Sequence, residues 1–258
     1  MTTRTVTLEK EGGIFTLTLN RPPVNALGRE LVEELDRVVS ALAKDAKVRV
    51  LIVTGAGMNF CAGADLKERQ GMSEADVRRW VPFLNGTFQK IARLPFPTIA
   101  AINGVAAGGG FELALACDFR IAEEFGQVGL KETSLAIIPG AGGTQRLARL
   151  VGPARAKRWI FTARLYGTAS AKNDGAVDRV ASPGGAVKAA RAFAQQIAVN
   201  APIAIRQAKL AIDAGYDLPL EKALEVEIKA YEGVIPTEDR REAIAAFNAK
   251  RAPVWKGK

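Results

Sequence analysis

Apolar and polar residues alternate from Ile14 to Leu19, the two-residue period of a strand with one face inward, and Asn20-Arg21-Pro22-Pro23 ends it with turn chemistry. Leu31, Leu35, Val38, Val39 and Leu42 then recur at helical spacing, and Val48 to Val53 is a short apolar run ending at Gly55. This reads as strand, helix, strand. Phe60 to Lys67 is a small-residue loop entering a helical stretch, and Ser73 with Asp76 predicts the cap of a longer helix that reaches about Arg93, where Pro95 and Pro97 break it. Thr98 to Ile102 has strand length; glycine-rich sequence follows, and then the apolar segment Phe111 to Cys117. Phe119 to Ala122 and Gln127 to Gly129 read as short strands, and Pro139 to Gly143 as a second glycine turn before a helix from about Thr144 to Leu150. Repeating strand and helix units predict an α/β core. Beyond roughly Gly185 the strands stop and helices are expected at 187–199, 202–214, 219–234 and 238–249, with Gly215 and Thr237 as stop and start signals. The expected division is 1–200 for the core and 201–258 for a helical C-terminal region.

Composition narrows the chemistry more than the fold. At 258 residues and 48% hydrophobic, the chain can bury a full core. Its first residues, MTTRTVTLEKEGG, carry no apolar leader core, and no run reaches the ~18 apolar residues of a membrane span, so a cytoplasmic protein is expected. Cys61 and Cys117 lack metal-ligand spacing and read as small core residues; no metal is expected. Histidine is absent altogether, which removes the usual general base, the Ser-His-Asp triad and the commonest metal ligand. Proton transfer must then use other groups: a carboxylate whose pKa is lifted by burial, with backbone N–H groups to stabilise a ligand oxygen. The net charge of +9 suits an anionic partner, but a phosphorylated ligand, RNA and an acidic membrane are equally compatible with it.

Two acidic residues stand out. Glu112 follows the triplet Gly108-Gly109-Gly110 at the start of the Glu112-Leu113-Ala114-Leu115-Ala116-Cys117 segment, and Glu132 lies in Gly129-Leu130-Lys131-Glu132-Thr133. The triplet is placed where unpaired N–H groups and missing side chains would let a ligand approach. Taken alone it is read first as a tight turn that needs positive φ, Glu112 as a residue that favours the helix dipole, and Glu132 as a solvated loop residue. A dinucleotide site is disfavoured because Gly104-Val105-Ala106-Ala107-Gly108 lacks the glycine spacing.

Three stretches together change that balance: Cys61-Ala62-Gly63-Ala64-Asp65-Leu66, Asn103-Gly104-Val105-Ala106-Ala107-Gly108-Gly109-Gly110-Phe111-Glu112 and Ile138-Pro139-Gly140-Ala141-Gly142-Gly143-Thr144-Gln145-Arg146. With them the chain resembles the enoyl-CoA hydratase/isomerase (crotonase) family over nearly its entire length. The resemblance implies a core spiral of ββα units with a helical C-terminal oligomerisation region, assembled as a homotrimer or as a hexamer of two trimers. It implies an acyl-CoA thioester as substrate, with no separate cofactor. The amides of Ala64 and Gly109 would form the oxyanion hole, Glu112 would accept a proton from water, and Glu132 would protonate C2. Both acidic positions are occupied, which points to hydration or dehydration, since relatives performing other reactions often replace one or both. The segment Val24-Asn25-Ala26 and the backbone of Ala62 through Leu66, Asp65 included, match positions that hold the adenine and pantetheine parts of CoA. Arg21 and Lys67 are candidates for its phosphates, and Phe247 and Lys250 resemble residues that reach a neighbouring subunit's site.

Within the family, Gly63-Ala64-Asp65-Leu66-Lys67-Glu68-Arg69 and Ile235-Pro236-Thr237-Glu238-Asp239-Arg240, with the Glu132 segment, resemble the branch that hydrates 3-methylglutaconyl-CoA. That substrate carries a second carboxylate, which needs a cationic or hydrogen-bonding partner once desolvated. Arg69 is the leading candidate and Tyr231 the second. The same branch suggests RNA binding through a lysine-rich first helix, but here that helix reads Arg29-Glu30-Leu31-Val32-Glu33-Glu34-Leu35-Asp36-Arg37, whose acids repel phosphates. Nucleic acid is therefore not an expected partner.

Overall fold

The run Val50–Gly55 is buried at every position, as is Thr98–Ile102. Continuous apolar strands of this kind belong to the middle of a parallel sheet covered on both faces, and the order of elements bears this out. The computed structural model describes residues 4–258; the first three residues of the stretch inspected for a leader lie outside it. Along the chain come β1 (Val6–Glu11), β2 (Ile14–Leu19), α1 (Arg29–Leu42), β3 (Val50–Gly55), α2 (Leu66–Gln70), α3 (Glu74–Ala92), β4 (Thr98–Ile102), β5 (Val105–Ala107), α4 (Gly109–Leu115), β6 (Phe119–Glu123) and β7 (Gln127–Gly129). A 3-10 turn (Glu132–Leu135) leads to α5 (Gly143–Val151), α6 (Pro153–Thr162), β8 (Tyr166–Gly167), α7 (Thr168–Asp174) and β9 (Arg179–Ala181). The remainder is helical: α8 (Ala186–Ala198), α9 (Pro202–Gly215), α10 (Leu220–Glu232) and α11 (Glu238–Asn248).

Two sheets result. The larger has the order β1-β2-β3-β4-β6-β9, antiparallel only between β1 and β2. The smaller has the order β5-β7-β8, with β5 and β7 parallel. Strand β1 was not legible as such because it is an edge strand, largely exposed and charged in Glu9-Lys10-Glu11. Strand β5 is only three residues between glycines, too short for a period to register. In α1 the stripe Leu31, Val32, Leu35, Val39 and Leu42 is buried, and α3 begins with the expected capping box, Ser73 and Asp76 bonding each other's backbone. Asp36 of α1 accepts from Thr87 at 3.0 Å and Lys90 at 2.7 Å on α3.

The chain divides into two compact units: the residues up to Leu94 with Thr98–Ala194, and Pro95–Pro97 with Gln195–Lys258. The boundary between Ala194 and Gln195 falls inside α8. In the second unit α9 packs on α10, and the chain beyond α11 folds back so that buried Asp239 accepts from the Lys256 amide at 2.7 Å and the Gly257 amide at 3.0 Å. No helix among the described residues is long and apolar enough to cross a membrane.

Candidate active site

Parallel pairing of β5 with β7 sets Ala107 opposite Gly129, and the Gly108 amide donates to Gly129 O at 2.8 Å. Both strands therefore end at the same edge, the carboxyl end, where ligands of parallel sheets bind. Helix α4 leaves β5 there and carries Glu112; the 3-10 turn follows β7 and carries Glu132. A Cβ placed on Gly108 would lie 3.1 Å from Glu132 Oε1, and one on Gly109 would lie 3.9 Å from Glu112 Oε2 and 4.0 Å from the Ala64 amide nitrogen. The two carboxylates and that amide thus converge on the Gly108-Gly109 peptide.

Each carboxylate is fixed differently. Glu112 is 3% exposed, and its Oε1 accepts from the amides of Ala141 and Gly143, both at 2.8 Å. Burial raises its pKa, while those two amides and the nearby Arg146 charge oppose the rise. Glu132 is 9% exposed and its Oε2 is buried with no hydrogen-bond partner. Burial first, and then the charge of Glu112, push Glu132 up to about 7. Its turn is anchored where Thr133 Oγ1 donates to Ile160 O at 2.5 Å and the Ile137 amide donates to Glu132 O at 3.2 Å. One acid whose Oε1 is held by two loop amides, beside a second whose Oε2 is buried without a partner, is an arrangement that separates the two protonation states.

The amides have an equally local cause. Leu27 and Ala64 form an isolated parallel bridge: the Leu27 amide donates to Gly63 O at 2.8 Å and the Asp65 amide to Leu27 O at 3.4 Å. In such a bridge the middle residue of the opposing strand turns its own N–H away from the pair, so the Ala64 N–H faces outward. Gly109 opens α4, where the first amides have no partner within the helix. The helix comes this close to the loop because residue 110 is glycine: a Cβ there would sit 2.1 Å from Cys61 O.

Of the residues read as CoA or acyl-group contacts, Val24, Ala26, Ala62, Asp65, Leu66, Lys67 and Arg69 all lie in the same unit as the carboxylates, on the two segments joined by the bridge or on α2 after them. Leu66 and Lys67 are exposed. Asp65 caps α2, accepting from the amides of Lys67 at 3.0 Å and Glu68 at 3.2 Å. Arg21 spans both segments, donating to Ala26 O at 3.0 Å, Asp65 Oδ2 at 2.6 Å and Glu68 Oε1 at 3.1 Å. Its guanidinium therefore clamps the loop that carries Ala64. Arg69 is half-buried, and its Nη1 is buried with no hydrogen-bond partner. Tyr231, Phe247 and Lys250 belong to the second unit: Tyr231 is 62% and Phe247 84% exposed, and Tyr231 lines a groove of about 530 Å³ among α9, α10 and α11 that contains neither carboxylate. No group of three or more metal-ligating side chains occurs among the described residues.

Sequence reading gave no structural role to three supporting parts. Asn25, fully buried, accepts from the Arg21 amide at 3.0 Å and donates to Ala56 O at 2.9 Å and Asn59 O at 2.8 Å, fixing the strand side of the bridge. The amides of Ala141 and Gly143 are the second and third parts. Their signal was the glycine run Gly140-Ala141-Gly142-Gly143, which exposes amides, but nothing in the sequence said that they face Glu112.

Fold and site together define an α/β enzyme with a carboxylate pair beside outward-facing amides. The family of enoyl-CoA hydratases and isomerases matches residues 9–258. YngF of Bacillus subtilis (strain 168) is 49% identical over 243 residues, covering 93% of this chain and 94% of that protein. The mitochondrial methylglutaconyl-CoA hydratase of Homo sapiens is 44% identical over 255 residues, covering 96% of this chain and 75% of that protein. The crystal structure of an enoyl-CoA hydratase from Bacillus anthracis superposes with a TM-score of 0.96 at 48% identity, covering 98% of this chain and 100% of that one. The chain belongs to the enoyl-CoA hydratase/isomerase family, whose members act on acyl-CoA substrates and whose hydratases are carbon–oxygen lyases.

Proposed function

We propose that the protein adds water reversibly across the C2=C3 bond of 3-methylglutaconyl-CoA, giving 3-hydroxy-3-methylglutaryl-CoA. Ionised Glu112 takes a proton from water as the water oxygen bonds to C3. The π electrons move toward the thioester, whose oxygen gains negative charge and accepts from the Ala64 and Gly109 N–H groups. Protonated Glu132 then delivers its proton to C2, and the double bond is gone. Dehydration runs the same steps backward. Transition-state charge on the thioester oxygen is what preorganised amides stabilise selectively; loss of one such donor typically raises the barrier by about 2.7–4 kcal/mol. The chemistry requires no metal or redox cofactor, because acid, base and oxyanion donors all come from the chain.

The observation that favours a dicarboxylic substrate is Arg69. Its Nη1 is buried without a partner, on the short helix that follows the Ala64 loop. A buried N–H without an acceptor is costly, and a carboxylate on the ligand would supply one. The test compares initial rates on crotonyl-CoA and 3-methylglutaconyl-CoA for the wild type and Arg69→Leu. Selective loss on the methylglutaconyl substrate supports the assignment, and equal loss on both removes it. A general short-chain enoyl-CoA hydratase is the second reading. It is favoured by the enoyl-CoA hydratase of known structure at 48% identity, and it is the outcome if crotonyl-CoA is the better wild-type substrate.

Self-association as a trimer or as a hexamer of two trimers is part of this reading. It is supported by the apolar side chains that the second unit leaves exposed on α9 and α10, among them Leu210, Ile212, Leu224 and Ile228.

A further inference from the structure

Glu112 is held by a segment that is itself held. Arg146 Nη1 donates to Ala141 O at 2.7 Å, its Nη2 donates to Gln89 Oε1 on α3 at 2.8 Å, and its backbone amide donates to Gly142 O at 2.8 Å. The peptide between Ala141 and Gly142 is thereby pinned, and the amides on either side of it, those of Ala141 and Gly143, are the two that grip Glu112 Oε1. Residue 142 makes this possible in two ways: its φ of +106° favours glycine, and a Cβ there would lie 2.0 Å from Arg146 Nη1.

We propose that Arg146 is the positioning residue of the carboxylate pair: through the pinned peptide it keeps both amides on Oε1 of Glu112 and so leaves Oε2 turned toward the Gly109 peptide. The inference rests on the reading of Glu112 as the base. A lysine could supply the charge but not the fork that reaches Ala141 and Gln89 at once, and a neutral side chain could supply neither. The hydrogen-bond partners of the guanidinium are two neutral oxygens, so its positive charge acts on what lies nearby; it holds Glu112 down against the upward push of burial.

The other charged or titratable groups on elements packed against α4 are few. Glu132 on the 3-10 turn is coupled to Glu112. Cys117, just beyond α4, acts on Arg146. Arg120 on β6 is engaged by Cys117 O at 2.8 Å and Asp178 at 3.0 Å, and Glu123 at the end of the same strand is half-buried. Arg149 on α5 is exposed.

The experiment is the pH profile of crotonyl-CoA hydration for Arg146→Gln, Arg146→Lys, Gln89→Leu and Glu112→Gln, with thermal melts of each. Small displacements of a reacting group cost about 100-fold. Arg146→Gln is expected to lose kcat on that scale with KM nearly unchanged, and to move the acid limb of kcat/KM to higher pH. Arg146→Lys should return the acid limb toward its wild-type position while recovering kcat only in part. Gln89→Leu should lower kcat with the acid limb unmoved. Wild-type kcat and limb in Arg146→Gln would overturn the proposal, as would a loss that merely follows the melted fraction. If Arg146→Gln does not fold, the lysine and Gln89 variants decide: wild-type behaviour in both overturns it. An active Glu112→Gln would instead remove the underlying reading, whereas an inactive Glu112→Gln beside an unaffected Arg146→Gln removes this inference alone.

Discussion

The charge of Glu112 acts directly on Glu132: together with burial it lifts the Glu132 carboxyl to about 7, while two backbone amides hold Glu112 against the same effect. The pair therefore shares its protons unequally near neutrality, and its two titrations belong to the pair more than to either residue.

Replacing either acid by glutamine should lower kcat for hydration by about 10²–10⁴, the usual worth of a positioned acid or base, with little change in KM. The double variant should be little worse than the weaker single one, because the two act as a unit. Steady-state kinetics of the three variants check this; full activity in either single variant would remove that carboxylate from the mechanism.

On the proposed mechanism hydration uses Glu132 in its protonated form, so kcat/KM should fall as pH rises through about 7. In Glu132→Gln this basic limb should vanish from whatever activity remains. A limb that persists unchanged would belong to another group.

The same group carries a stability signature. Its folded pKa of about 7 lies above the unfolded value of 4.5, so the folded state binds more protons between those values and stability declines as pH rises through that window. Glu132→Gln should therefore melt higher than the wild type at pH 8. The advantage is on the order of 3 kcal/mol at most, and it should shrink to nothing below about pH 4.5. Melting curves at pH 4 and 8 test the sign.

Gly110→Ala forces a methyl group to within 2.1 Å of Cys61 O, a backbone atom that cannot swing aside. Overpacking of this kind costs about 1–3 kcal/mol or more. Because the strain falls between α4 and the Ala64 loop, activity should drop further than the melting temperature alone accounts for. A variant as stable and active as the wild type would mean that this approach is looser than described.

Arg21→Leu separates two roles. As a clamp across Ala26, Asp65 and Glu68, Arg21 steadies the Ala64 amide, and its loss should lower kcat by roughly 10- to 100-fold. As a contact to CoA phosphate its loss would raise KM and leave kcat alone. The kcat and KM of the variant distinguish them.

Sequence by itself determined the α/β alternation and the helical C-terminal region, because periodicity, caps and glycine turns are local properties: Leu31 to Leu42 and the Ser73–Asp76 box state their own conformation, whereas Glu112 and Glu132 were singled out only through the family resemblance. It did not reach β1, whose charged edge position hides the strand pattern, or β5, which is too short to show one. Which groups meet was a matter for tertiary structure alone. Glu112 and Glu132 come together because β5 and β7 pair in parallel with Ala107 opposite Gly129, and Ala64 faces outward because Leu27 occupies the neighbouring amide and carbonyl. Neither pairing is written in the residues that depend on it. Register between distant strands is set by the packing of the whole sheet, and the direction of an N–H group follows from a bond made by its neighbours.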